Sequence, residues 1–255
     1  MPEYNQAPCS PAGPGLVTLK LMPANSQQFL EFLHTVPLFR SVPDRALELA
    51  ASVLTQRKFP SGHTVFQEGD TGDALYILEA GLVKLSKVDL GGHEKTLALL
   101  QPPEFFGEMA LIGEATRSAT ALTLSEVNCW LLYRDDFSRL MEDFPAVSLN
   151  LTSTLAERLR GMDDEAQILS YKDAQGRVAY VLLRLFESGV AERNEQGLAQ
   201  VHLTHQELAS LAGTSRETVT RALRALEGEN VIQTRTREIV ITDAEGLAEI
   251  LHEVR

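Results

Sequence analysis

The sequence predicts an α+β chain: a β roll or barrel, then one long helix, then a small helical unit closed by a hairpin. Three observations carry that expectation. From about residue 57 to 134, short apolar runs alternate with glycine-bearing turns at Gly62, Gly69, Gly72, Gly81, Gly91-Gly92 and Gly107, as closely spaced antiparallel strands require. From Pro145 to Tyr171 apolar residues recur every three or four positions, the period of a helix face. After Thr204 two short helical patterns meet at Gly213-Thr214 and are followed by an apolar strand pattern, the outline of a winged helix-turn-helix.

Residues 1–25 carry four of the eleven prolines before Met22, and no basic stretch leads into an apolar one; they read as a flexible tail rather than a secretion signal. The β-roll domain spans 26–144. Phe29, Leu30, Leu33 and Val36 give a short helical spacing from Ser26 to Phe39, and Pro43 begins a second helical stretch through Leu54. Strands follow at Ala74–Leu78, Leu82–Leu85, Thr96–Leu100 and Asn128–Tyr133, and Cys129 beside Trp130 reads as buried. Asp135-Asp136 opens a helix where its N-terminus favours negative charge.

The long helix occupies 145–172, with Pro145 in its first turn. Its stripe is Val147, Leu151, Leu155, Leu159, Met162, Ala166 and Leu169, flanked by charged residues that include Glu157, Arg158, Arg160 and Glu165. Such a seam suits a second copy of the same helix; packing on the chain's own β domain is the other reading. The last unit, 173–255, begins with Gly176 as a break, then a helix over Arg177–Ser188 and a polar loop over Glu192–Gly197. A strand over Gln200–Leu203, the two short helices, a hairpin over Arg235–Thr242 and a helix over Ala244–Val254 complete it.

Composition narrows the function classes. A chain of 255 residues with 44% hydrophobic and 23% charged residues is globular rather than disordered throughout. The longest apolar run, Val178 to Leu183, is far short of the roughly 18 to 20 residues a membrane helix needs. Two cysteines, Cys9 and Cys129, supply neither a disulfide framework nor an iron–sulfur cluster, so the cytoplasm is the natural compartment. The net charge of −12 opposes nonspecific nucleic-acid binding, yet residues 204–237 hold five Arg against four Glu, so the acidity lies elsewhere. His202 and His205 have no cysteine or carboxylate cluster to complete a zinc site, and neither His63 nor His93 has a context distinctive of haem. No P-loop, His-Glu-x-x-His or nucleophile elbow is present, so the chain is not read as an enzyme.

Two constellations bear chemistry. Thr204 caps the first short helix and Glu207 completes a capping box; Leu208, Leu211, Val219, Leu223 and Leu226 make the buried face. Ser215 caps the second helix, from whose first turns Arg216, Glu217, Thr220 and Arg221 project. Arg reads guanine bidentately and Glu accepts from the cytosine amine. The bland reading of the same residues is two amphipathic helices with solvated charges. In the β segment, Gly107 permits close backbone approach, Glu108 accepts from sugar hydroxyls, and Arg117 with Ser118 offers a charged fork and a hydroxyl to a phosphate. The competing reading pairs Arg117 with Glu108 or Glu114 in a vestigial pocket.

The run Ser215-Arg216-Glu217-Thr218-Val219, followed by Arg221, resembles the recognition helix of the cyclic-AMP receptor protein/FNR family of bacterial transcription regulators. Phe105 to Leu111 with Arg117-Ser118 resembles that family's phosphate-binding cassette, one residue shorter, and the resemblance runs from about residue 26 to 243. It implies a cyclic-nucleotide-binding β-roll, a dimerisation helix and a DNA-binding winged helix. It implies base readout by Arg216, Glu217 and Arg221, and phosphate contacts from Ser215, Thr218, Thr204 and Gln206. It implies effector contacts from Gly107, Glu108, Met109, Arg117 and Ser118. The family's adenine-touching Thr-Ser pair falls at Met162-Asp163, where Asp163 keeps an acceptor but Met162 has no hydroxyl. Cyclic AMP is the implied effector, and double-stranded DNA, a second copy of the chain and RNA polymerase are the implied partners. An effector-independent regulator and a nucleotide sensor acting on a protein partner stay open.

Overall fold

The computed structural model describes residues 18–19 and 26–252 other than positions 90, 93, 114, 189, 195, 236 and 237. The tail over 1–25 except Thr18-Leu19, Cys9, His93, Glu114, Arg237, Val254 and the side chains of Glu165 and Leu169 lie outside the described residues.

Strand β1 (Thr18–Leu19) precedes helix α1 (Ser26–Thr35), a 3-10 turn over Pro37–Phe39 and helix α2 (Asp44–Val53). The first helical pattern therefore ends before Pro37, which cannot continue the ladder. Strands β2 (Thr55–Phe59), β3 (Thr64–Phe66), β4 (Ala74–Ala80), β5 (Val83–Val88), β6 (Glu94–Leu100) and β7 (Glu104–Phe106) follow. Next come the single turn α3 (Met109–Ile112), β8 (Thr120–Thr123), β9 (Val127–Tyr133) and α4 (Arg134–Asp143). The strands form two antiparallel sheets, ordered β1-β2-β9-β4-β7 and β3-β8-β5-β6.

Strand alternation explains why β4 reads as a continuous apolar run. Ala74, Tyr76 and Leu78 enter one cluster with Phe59, Val83, Phe106 and Val127. Leu75 and Ile77 enter another, under the helices, with Phe29, Leu47, Trp130 and Phe137. Both faces of the strand are covered, so both are apolar. Phe105 and Phe106 on β7 divide the same way. In β6, Leu85 faces Ala98 and Ser86 faces Thr96, so Leu97 is the extra residue of a bulge.

Helix α5 is Pro145–Tyr171, and its 27 residues span about 40 Å. Its stripe serves two surfaces in succession. Val147 and Leu151 are buried in the β-roll core, where Asn150 also donates to the carbonyls of Leu38 and Arg40 at 3.1 and 2.8 Å. Leu159 and Met162 are 60% and 62% exposed.

Helix α6 (Ala174–Glu187) starts before Gly176, so the expected break is displaced. Asp173 is its N-cap and accepts from the Gly176 N–H at 2.9 Å, leaving this buried glycine in the first turn. Beyond it lie β10 (Glu192–Arg193), β11 (Ala199–Val201), α7 (His205–Ala212), α8 (Arg216–Gly228), β12 (Ile232–Arg235), β13 (Glu238–Ile241) and α9 (Ala244–His252). The four strands form a sheet ordered β10-β11-β13-β12, and Val178, Leu182, Leu208, Val219, Leu226 and Ile241 fill one core. This unit touches the β-roll through α7. The Ser210 hydroxyl donates to the Glu94 carbonyl at 2.8 Å and accepts from the Thr96 N–H at 3.0 Å.

Candidate functional site

Five predicted effector residues, Gly107, Glu108, Met109, Arg117 and Ser118, line one cavity of about 120 Å³ with Phe66, Leu85, Leu97 and Arg158. Gly107 has φ +82°, and a Cβ there would lie 2.7 Å from Arg117 Nη1; both the left-handed backbone and the close approach require glycine. Arg117 is buried on β-roll aromatics, its guanidinium carbon 4.3 Å from the Phe66 ring centroid and 5.5 Å from that of Tyr76. Its Nη1 donates to the Gly107 carbonyl at 2.8 Å, while Nε has no hydrogen-bond partner. Burial lowers the Arg117 pKa from its ordinary value and raises that of the Tyr76 phenol to about 12.

Glu108 is buried too, and it does not bond Arg117. Its Oε1 accepts from Arg158 Nη1 at 3.0 Å and its Oε2 has no partner. Arg158 also donates through Nη2 to Glu104 at 3.0 Å and to the Phe105 carbonyl at 2.7 Å. Arg117 and Glu108 thus have separate partners, Gly107 and Arg158, in place of the mutual pair. Sequence reasoning treated Arg158 only as a flank of the α5 stripe; its partners lie 50 to 54 positions earlier, and no local pattern announces them. Gly72 likewise reads in the sequence only as a turn, yet a Cβ there would lie 2.6 Å from both Arg117 Nε and Ala110 Cβ.

Leu85, Leu97 and Arg158 also border a larger groove of about 660 Å³ between β5, β6 and α5, which Met162 lines. Asp163 is exposed and lines neither space. Within one protomer the structure therefore unites the cassette with Arg158, brings Met162 to the adjoining groove, and leaves Asp163 outside.

The second constellation is built by capping. The Thr204 hydroxyl accepts from the Glu207 N–H at 3.2 Å while the Glu207 carboxylate accepts from the Thr204 N–H at 2.7 Å, a complete capping box. Gly213, at φ +58°, ends α7 in the left-handed conformation that turns the chain into α8. Ser215 caps α8 by accepting from the Thr218 N–H at 3.2 Å. Val219, Ala222, Leu223 and Leu226 bury one face, leaving Arg216, Glu217 and Arg221 exposed on the other. Gln206 is exposed, and Thr204 and Thr218 are half-buried. A bond from its own backbone N–H, and then the Ser215 hydroxyl, hold the Glu217 carboxyl below its ordinary pKa. His202 contacts Gln200 and His205 contacts Thr220. Among the described residues no group of three or more His, Cys, Asp or Glu could hold a metal ion, and no helix is long and apolar enough to cross a membrane.

Residues 56–144 match the cyclic nucleotide-binding domain, and residues 176–250 match the Crp-like helix-turn-helix domain. The cyclic AMP receptor protein of Thermus thermophilus is 42% identical over 214 residues, covering 84% of this chain and 96% of that protein. The chain belongs to the CRP/FNR family of transcriptional regulators. A second family member, the CRP-like cAMP-activated global transcriptional regulator of Mycobacterium tuberculosis, is 34% identical over 218 residues, covering 86% and 97% of the two chains. Among solved structures, a CRP/FNR family transcriptional regulator from Thermus thermophilus is 31% identical with a TM-score of 0.66, covering 78% of this chain and all of the other. The c-di-GMP responsive global regulator of Xanthomonas campestris is 26% identical with a TM-score of 0.69, covering 78% and 99%. The fold class read from the sequence agrees with these family relationships: a β-roll of the cyclic-nucleotide-binding type precedes a Crp-like DNA-binding helix-turn-helix.

Proposed function

We propose that this regulator works as a cytoplasmic homodimer whose DNA affinity is set by a cyclic nucleotide, cyclic AMP by default. The observation that carries the reading is the pair Arg117 and Glu108, buried in one cavity with Arg117 Nε and Glu108 Oε2 unpartnered. A buried donor on a cation and a buried acceptor on a carboxylate are costly to leave unmet. An anionic phosphate beside sugar hydroxyls meets both. Arg117 and Ser118 take the phosphate, Gly107 and Met109 border it, and Glu108 accepts from the sugar.

A cavity of about 120 Å³ is below the roughly 300 Å³ of a usual ligand site, so the base extends past Arg158 into the groove beside Met162. Asp163, on the exposed stretch of α5, offers a carboxylate to the base held by the partner subunit. The exposed Leu159 and Met162 pair with the same helix of a second copy. Dimerisation sets two α8 helices about one DNA turn, roughly 34 Å, apart on a palindromic operator. Arg216, Glu217 and Arg221 read base edges, while Ser215, Thr218, Thr204 and Gln206 hold phosphates. The nucleotide shifts DNA affinity only by as much as it prefers the DNA-competent arrangement. RNA polymerase is the partner through which such a regulator activates transcription.

Calorimetric titration of the full chain with cyclic AMP and with cyclic GMP, alongside Arg117→Ala, tests this reading. Saturable binding of cyclic AMP that the variant loses supports it. No heat from either nucleotide, with operator binding intact, overturns the effector half and leaves an effector-independent regulator.

A further inference from the structure

Arg134 lines no part of the cavity, yet it grips the turn that forms one wall and the backbone behind Arg117. It opens α4 directly after β9, and its backbone N–H donates to the Asp73 carbonyl at 2.7 Å. Its Nη2 donates to the carbonyls of Gly72 at 2.9 Å and Ala110 at 2.6 Å, and its Nη1 donates to that of Leu111 at 3.0 Å.

The Ala110 and Leu111 carbonyls need an outside donor because α3 is a single turn of four residues. The Glu108 carbonyl is met by the Leu111 N–H at 2.8 Å, and the Met109 carbonyl by the Gly113 N–H at 3.2 Å. Ala110 and Leu111 come next in the chain, and Arg134 supplies both. Its third bond reaches the segment on which Arg117 rests, since a Cβ on Gly72 would lie 2.6 Å from Arg117 Cζ and from Ala110 Cβ. One planar fork therefore fixes the turn that carries Glu108 and Met109 relative to the backbone behind Arg117.

We propose that Arg134 is a positioning residue for nucleotide recognition: without touching the ligand, it sets the separation between the phosphate-binding Arg117 and the sugar-binding Glu108. This rests on the nucleotide reading given above. A lysine presents one compact charge instead of a rigid fork, so it cannot span all three carbonyls in the same geometry.

The test compares the full-length protein with Arg134→Ala and Arg134→Lys, by calorimetry with cyclic AMP and by the 31P shift of the bound nucleotide. Outer-shell partners that orient a ligating group typically carry about tenfold to 100-fold in affinity. Arg134→Ala is expected to weaken cyclic AMP binding by about tenfold or more, Arg134→Lys to recover part of the loss, and the bound 31P shift to move in both. A merely structural role lowers thermal stability without moving that shift. Wild-type affinity and shift in Arg134→Ala overturn the proposal, and if that variant does not fold, the same result in Arg134→Lys does so. A wild-type protein that takes up no cyclic AMP overturns the nucleotide reading and this inference together; binding that neither variant changes overturns this inference alone.

Discussion

Replacing Arg158 by leucine removes the cation that answers Glu108, and the size of the effect follows from the geometry. At 3.0 Å and an effective dielectric of about 20, the attraction between the two charges is 332/(20 × 3.0), or about 5.5 kcal/mol before desolvation. Removing one partner of a buried pair costs about 3–5 kcal/mol, because the other charge is left uncompensated. The Glu108 side chain is 4% exposed, but that of Arg158 is 30% exposed, and solvent screening reduces the expected loss to about 2–3 kcal/mol. Urea denaturation at fixed protein concentration reads this directly, since the stability of a dimer depends on concentration. Adding Glu108→Gln to Arg158→Leu removes the orphaned charge, so the double variant is more stable than the sum of the single losses predicts, by about 1–2 kcal/mol. Arg158→Leu within about 0.5 kcal/mol of wild type, or strict additivity, would refute the claim that Glu108 depends on Arg158.

Leu159→Asp places a charge on the exposed half of α5 and is expected to shift the protein from dimer to monomer in sedimentation velocity without unfolding the β-roll, because the buried Val147 and Leu151 are untouched; an unchanged dimer places the subunit contact elsewhere. Arg221→Ala is expected to relax discrimination at one operator base by about 1–3 kcal/mol, measured by fluorescence anisotropy across operator variants. The lowered pKa of Glu217 means that its charged form persists to a lower pH than that of an unperturbed glutamate. Selectivity at its base therefore stays level from about pH 8 to about pH 5, while Glu217→Gln alters it at every pH.

Elements specified by neighbours in the chain are legible in the sequence itself. Thr204 and Glu207 are three residues apart, and their capping box formed as read; Pro145 and the apolar period delimited α5. Strands β2, β3, β7 and β8 escaped notice because they are three to five residues long and their partners are distant in sequence. Thr55–Phe59, for example, is largely polar and takes its conformation from β9. Gly176 misled because glycine reads as a breaker, whereas the capping carboxylate of Asp173 lies three residues before it. At the cassette, Gly107, Glu108 and Arg117 were legible as a motif, but the partner of each was not. Those partners, the Gly107 carbonyl and the Arg158 guanidinium, depend on how a loop and a distant helix meet.

The bulge in β6 has a mechanical consequence. Leu97 lacks a cross-strand partner and borders both the cavity and the groove, while the peptide N–H of its neighbour Thr96 is held by Ser210 on α7. A bulge leaves its extra residue unpaired, disrupts the ladder locally and bends the strand. The bulge therefore sets a residue that borders the candidate site one peptide away from the attachment of α7. Gln101, just past the end of β6, also donates to the Ser188 carbonyl at 2.6 Å, so this edge strand and the chain after it tie the winged-helix unit to the β-roll at two points.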